Sequence, residues 1–236
     1  MNTKLTGLHL FDHYHCLALS MCIMCIIFIL FLGKRLSQKN QTILIILLLS
    51  FTVFQELIDY INRYYVRGFN LAEDLPLHIC HYALIMSAIA LYNKNQFCFE
   101  FSYLMGFTGT LIAMLTPDMT DFDNWTSYIT FYIHHSLIIL FCSWNIFIDK
   151  KVPSKYSVVK SMIFLCIVAI PIGLICWKTG GNYMYLREIP NVNNPLVFGV
   201  WPWYILNFMI IGVILMIFAY LPFFFMNQDI RRNNTP

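Results

Sequence analysis

Histidines and carboxylates are the residues of this chain best suited to chemistry, because they are the ionisable groups embedded in its apolar runs. His78 and His81, His134 and His135, and Glu56 and Asp59 fall in three separate runs. An ionisable group at membrane depth is costly, so each is expected to be buried with a partner. An imidazole held by a carboxylate is the working part of a general base, the acid fixing the ring's tautomer. The same side chains are the ligand types of a zinc site. Glu56 and Asp59 are three residues apart and share a helical face. They orient a histidine or pair with Arg63, one turn further on. Only one of the adjacent His134 and His135 can face inward, since helical neighbours point about 100° apart. Helix geometry alone does not choose between them.

Other reactive groups are weaker candidates. His9, His13 and His15 lead into the first run and read as interfacial residues at a helix entrance, and His81 reads equally as a core donor to a carbonyl. The eight cysteines lie inside or at the ends of apolar runs, where a thiol behaves as a small hydrophobe. Cys80 is the exception, two residues beyond His78 and beside His81. A neighbouring imidazolium lowers a thiol's pKa and makes it a nucleophile. Positions 78 and 80 point about 200° apart on a regular helix, so that pair needs an unwound start, which Pro76 would permit. His81 or a histidine of the fifth run is the easier partner. In the last long loop, Gly180 and Gly181 allow close backbone approach. Asn182 and Tyr183 offer donors to an oxyanion or headgroup. The stretch Trp201-Pro202-Trp203-Tyr204 has the look of an interfacial aromatic belt.

The elements that must carry these groups follow from composition. Of 236 residues, 59% are hydrophobic, 17% aromatic and only 11% charged, against about 45–50% apolar and about 25% charged in soluble domains. The chain reads as an all-α polytopic membrane bundle, one domain over residues 1–236, without internal repeats. The apolar runs are continuous, which excludes a β-barrel. A net charge of +3 from scattered Lys and Arg excludes a nucleic-acid face. Seven runs are marked: Tyr14–Leu32, Ile43–Ile61, Leu75–Tyr92, Phe97–Leu115, Thr126–Ile148, Ser157–Trp177 and Pro202–Met226. The third carries Pro76, His78 and His81 in its first turns, so a six-span reading with a re-entrant third segment stays open. The first run lacks the basic start and small-residue cleavage site of a signal peptide.

One set of loop ends carries Lys34, Arg35, Lys39, Lys94, Lys150, Lys151, Lys155, Lys160, Arg231 and Arg232, 10 of the 15 Lys and Arg. The positive-inside rule then places the N-terminus outside and the C-terminus in the cytoplasm of a cell-membrane protein. All seven histidines fall on the outer side of this arrangement. The expectation is a polar chamber in the outer half of the membrane, lined by helices one, two, three and five, over a cytoplasmic half that reads apolar in every helix.

With these pieces in place the chain resembles one family, the bacterial YwaF-like integral membrane proteins. The resemblance rests on Leu75-Pro76-Leu77-His78-Ile79-Cys80, Gly106-Phe107-Thr108-Gly109-Thr110-Leu111 and Thr116-Pro117-Asp118. It continues through Phe131-Tyr132-Ile133-His134-His135, Gly181-Asn182-Tyr183-Met184-Tyr185-Leu186 and Trp201-Pro202-Trp203-Tyr204. That family looks related to the eukaryotic transmembrane protein 164 group, which moves acyl chains between glycerophospholipids without coenzyme A. The resemblance implies roles for His78 and for His134 or His135. The cysteine expected directly before the motif histidine is Leu77 here, and Cys80 lies three positions later.

The leading expectation is therefore a coenzyme A-independent transacylase. It takes an acyl chain from a membrane phospholipid and passes it to a lipid or lipidated acceptor in the outer leaflet. His78 or a helix-five histidine is the base, Glu56 or Asp59 holds its tautomer, and Asn182 or Tyr183 serves the oxyanion. Cys80 is the nucleophile of a two-step version, and no cofactor is needed. The alternative is a zinc-dependent, ceramidase-like lipid hydrolase with ligands from His78, His81, His134 and His135 together with Glu56 or Asp59, although no HExxH pair is present. A non-enzymatic transporter or sensor is the third class. Against it stand the absence of repeats and of polar groups in both leaflets. A retinal protein is excluded, because the last run has no Lys for a Schiff base.

Overall fold

A computed structural model describes residues 5, 7–119, 122–190 and 198–233, with side chains of the final helix to residue 225. Lys4, Asp121 and the side chains of Arg231 and Arg232 lie outside the described residues. Asp12 starts the first helix, α1 (His13–Arg35). Its carboxylate accepts from the backbone N–H of His15 at 2.8 Å and of His9 at 3.0 Å, which satisfies an orphan donor of the first turn. These donors hold the Asp12 carboxyl below the usual carboxylate range. Lys34 and Arg35 close the last turn, where cations suit the helix dipole. The second helix, α2 (Gln38–Arg67), stops at Gly68, whose φ of 76° turns the chain where an L side chain would be strained.

The third run forms a shorter helix than its apolar length suggests. Pro76 disfavours helical geometry at the residue before it and cannot donate a backbone hydrogen bond. The N–H of Leu77 bonds the carbonyl of Leu75 in a tight turn, and α3 (Ile79–Asn93) begins only after His78, its N-cap. Fifteen residues rise about 22 Å, short of a hydrocarbon core about 30 Å thick. Seven spans are expected from the sequence, with six as the alternative. Among the described residues six helices are long and apolar enough to cross a membrane, and α3 is a shorter apolar helix beside them.

The remaining helices are α4 (Gln96–Leu115), α5 (Trp125–Phe147), α6 (Ser157–Thr179) and α7 (Trp203–Asn233). Within α4, Ser102–Phe107 is π-helical. A Cβ on Gly106 in that segment would sit 2.7 Å from Cβ of Ala83 and 3.0 Å from Cγ2 of Ile138. Glycine there lets α3, α4 and α5 close on one another. Asn124 and Ser127 form a reciprocal capping box at the start of α5. This helix is the axis of the bundle: 67% of its apolar window is buried, against 6% for α1. Leu91 of α3, Phe99 and Leu104 of α4, and Ile138, Phe141 and Trp144 of α5 form the packed centre.

Charged groups collect at the two ends. At the lysine-rich end Lys94 pairs with Asp149 at 2.6 Å, and Lys151 reaches the carbonyl of Ala90 at 3.3 Å. The expectation that this half of every helix is apolar meets an exception in Glu100, which is fully buried. Its carboxylate accepts from the N–H of Ser154 at 2.8 Å and from Gln96 at 3.1 Å, with Lys160 at 3.5 Å. The partners identify it as the anchor of the loop between α5 and α6. The histidines, Glu56, Arg63 and Arg67 gather toward the opposite end.

Candidate active site

Glu56, on α2, faces His134, on α5. Nδ1 of His134 lies 2.6 Å from Oε1 of Glu56. A carboxylate can only accept, so in the neutral ring Nδ1 carries the proton and Nε2 is left with a bare lone pair. That Nε2 is buried and has no hydrogen-bond partner. Gln55 donates from Nε2 to the same carboxylate oxygen, so an amide and an imidazole converge on Oε1 of Glu56. His81, in the first turn of α3, stands edge-on to His134 with ring centroids 5.1 Å apart, and its Nδ1 is also buried without a partner. One ligand atom from each of Glu56, His81 and His134 lies within 4.8 Å of the other two.

The geometry pairs some of the expected residues and separates others. Of the adjacent pair, His134 meets Glu56. His135 donates from Nδ1 to the carbonyl of Phe131 at 2.8 Å and lies tilted against the Phe131 ring, with centroids 4.2 Å apart. Of the two carboxylates, Glu56 orients the histidine. Asp59 instead accepts from Thr130 at 2.7 Å and pairs with Arg63 at 2.6 Å, the structural pairing that its spacing also allowed. Arg63 and Arg67 converge on Asp74, which has a fully buried side chain and lies 2.7 Å from Arg67. Arg67 also reaches Glu73 and Asp123. This ionic tier joins α2, the loop that follows it and the approach to α5.

His78 lies at the loop side of the cluster, 6.4 Å from His81 by ring centroids and edge-on to Tyr183 at 5.4 Å. The ligand-type cluster therefore joins Glu56, one of the two carboxylates expected beside the histidines, to His81 and His134 and leaves out His78 and His135. Cys80 packs against the apolar core of α3, α4 and α5, and its thiol makes no hydrogen bond among the described residues. Asn182 and Tyr183 are engaged in holding the loop. The amide oxygen of Asn182 accepts from the N–H groups of Arg187 and Glu188, and its nitrogen donates to the Glu188 carbonyl at 2.8 Å. The Tyr183 hydroxyl donates to the Leu71 carbonyl at 2.8 Å and accepts from the Leu75 N–H at 2.9 Å. A Cβ on Gly181 would collide with the carbonyl of Ala72, so these residues clamp the loop that delivers His78.

Helix one contributes nothing to the cluster, against expectation. His9 and His13 are exposed. His15 is fully buried elsewhere, with Nδ1 accepting from the N–H of Phe11 and Nε2 donating to the carbonyl of Met114, both at 2.9 Å. Its two nitrogens are satisfied, and it fastens α1 to the end of α4. One participant went unread in the sequence: Gln55, which shares the Glu56 carboxylate with His134. An uncharged amide at membrane depth is a signal of the same kind as Glu56, but a weaker one, because its desolvation costs less.

The site thus presents a carboxylate-oriented imidazole whose other nitrogen is a buried, unpartnered acceptor. Such a group can take a proton from a hydroxyl, thiol or amine. The model of the TMEM164 family matches residues 10–220 of the chain. No curated protein and no solved structure matches it.

Proposed function

Because the chain belongs to the TMEM164 family, we propose that it is a membrane acyltransferase, moving an acyl chain from a phospholipid to a lipid or lipidated acceptor without coenzyme A. The observation that carries this reading is the Glu56–His134 pair with its unpartnered Nε2. In the proposed reaction an acceptor hydroxyl or amine gives its proton to Nε2 of His134 as it attacks the donor's ester carbonyl. The new bond to the acyl carbon forms, the old ester C–O bond breaks, and the departing oxygen regains the proton from the imidazolium. Glu56 stabilises that imidazolium, as the acid of a triad does. His81 is the nearest candidate to donate to the developing oxyanion, and His78 stands where a headgroup would enter. The apolar surroundings of Cys80 favour direct attack over an acyl-cysteine. Lysine enrichment of the far end supports an outer-leaflet site in the cell membrane, where phospholipid esters are the acyl source at hand.

His134→Ala is expected to lower acyl transfer between reconstituted lipids by about 10²–10⁴-fold, with the protein still inserted and monodisperse. Lipid mass spectrometry of the product reads this directly, and undiminished transfer rejects the assignment.

The cluster of Glu56, His81 and His134 favours one second reading, zinc-dependent lipid hydrolysis. Two buried imidazole nitrogens without partners fit a borderline-soft cation, and these three residues would hold it. Such an ion supplies a Lewis acid for an ester or amide carbonyl. Stoichiometric zinc in purified protein, lost in His81→Ala, selects this reading; full transfer activity in metal-free protein removes it.

A further inference from the structure

Two members of the candidate site stand at the edge of the buried core. On α2, helical order places Glu56 between Gln55, 2% exposed, and the exposed Val53 and Leu57. The Glu56 side chain is itself 22% exposed. On α3, His81 is half-buried and stands between Leu84, inside the core, and Ile85, 53% exposed. Ile85, Ile89 and Tyr92 follow His81 at steps of four, four and three residues, which makes one stripe of the helix, and all three are exposed. Glu56 and His81 thus mark the margins where the buried faces of α2 and α3 turn outward. A ligand atom of each lies within 4.8 Å of the other. On its other side α2 is tied to α5, with Asp59 accepting from Thr130 at 2.7 Å and Asn62 accepting from Asn124 at 2.8 Å.

From this edge an apolar seam descends toward the lysine-rich end. Helix α2 rises to the arginine tier, and α3 runs back from it to Ala90, whose carbonyl meets Lys151. Val53 lies one turn below Glu56. Ile85 and Ile89 lie one and two turns below His81, the second about 12 Å along the axis. The seam is polar at its top and apolar below, which matches an ester on its acyl chain. An ester carbonyl can accept from an imidazole N–H. The apolar face of a second copy would instead desolvate Glu56 and His81 without a partner. We propose that the seam between α2 and α3 binds an acyl chain of the phospholipid donor, so that lipid reaches the site sideways from the bilayer. The ester lies at His81, one ring away from His134, and the tail lies on Val53, Ile85 and Ile89. This inference rests on the acyl-transfer reading and gives its donor chain a seat.

Photolabelling of the full chain in detergent tests the proposal without turnover. The probe is a trace of phosphatidylcholine carrying a diazirine midway along one acyl chain. Label that excess unlabelled phosphatidylcholine competes away is expected around Val53, Ile85 and Ile89. Ile89→Trp blocks the lower seam and should reduce that competed label about tenfold. Val53→Trp should do the same from α2. Ile163→Trp, at an exposed position of α6, should change nothing. A shorter-chained probe that ends above position 89 should label the wild type and Ile89→Trp equally. Competed label on other helices, equal loss in Ile163→Trp, or cross-links to a second copy of the chain overturn the proposal. Competed seam label in a protein without acyl transfer rejects the reaction and keeps the seat. Acyl transfer with its competed label elsewhere does the reverse.

Discussion

Individual histidines in this chain have opposite duties, and hydrogen-bond satisfaction separates them. His15 has both nitrogens occupied by backbone groups, which suits a strut. His134 has one nitrogen held by Glu56 and the other bare, which suits a base. His15→Ala removes the ring partner of the Phe11 N–H and of the Met114 carbonyl, the latter in a buried place. It should destabilise the protein by about 1–3 kcal/mol, read as a lower midpoint on thermal unfolding in detergent. Transfer activity per folded molecule should stay unchanged, because His15 is remote from the Glu56–His134 pair. The residue types were readable from the sequence, since an imidazole in an apolar run draws attention wherever it lies. Their satisfaction was not. It depends on a carbonyl 99 residues away in one case and a carboxylate 78 residues away in the other.

Among the elements, α3 matters most to the site, because it is short, starts late and carries His81 in its first turn. Its seat against α4 depends on a pair of small residues. Gly106→Ala places a methyl 2.7 Å from Cβ of Ala83 and should cost about 1–3 kcal/mol through overpacking. Ala83→Gly removes the clashing methyl. In the double variant it should recover part of the loss, as a non-additive pair in unfolding measurements. At the start of α1 the prediction concerns pH. The Asp12 carboxyl is held below its ordinary value by the N–H of His15. Its cap therefore stabilises fully above the unfolded pKa, about 3.9, and is lost as pH falls through the lower folded value. A lower protection factor at His15, taken against the intrinsic exchange rate, below about pH 4 than at neutral pH checks this; an unchanged protection factor on acidification counts against the cap. Pro76 signalled the late start of α3 in the sequence. The π-helical turn in α4 had no such signal, because it arises from packing around Gly106 rather than from local propensity.

Across the whole molecule, charge divides between two ends, one rich in lysine and one holding the arginine–carboxylate tier beside the histidines. Asp74 joins that tier, with a buried side chain beside Arg63 and Arg67. Asp74→Asn leaves two guanidiniums under-compensated and should destabilise the protein by about 2–4 kcal/mol. It should loosen the loop that carries His78, seen as faster proteolysis between α2 and α3. Unaltered stability would show that Glu73 and Asp123 suffice for Arg67.

The helical, membrane-embedded class and the two-ended charge pattern were legible in the sequence. They depend on composition and on local periodicity, which every stretch of chain carries within itself. So were the histidines and acids worth watching. The pairings required the folded bundle: Glu56 with His134, Asp59 with Arg63, and Asn182 and Tyr183 with backbone. Each depends on how helices distant in sequence rotate and settle against α5, and that rotation is chosen by packing summed over the entire core.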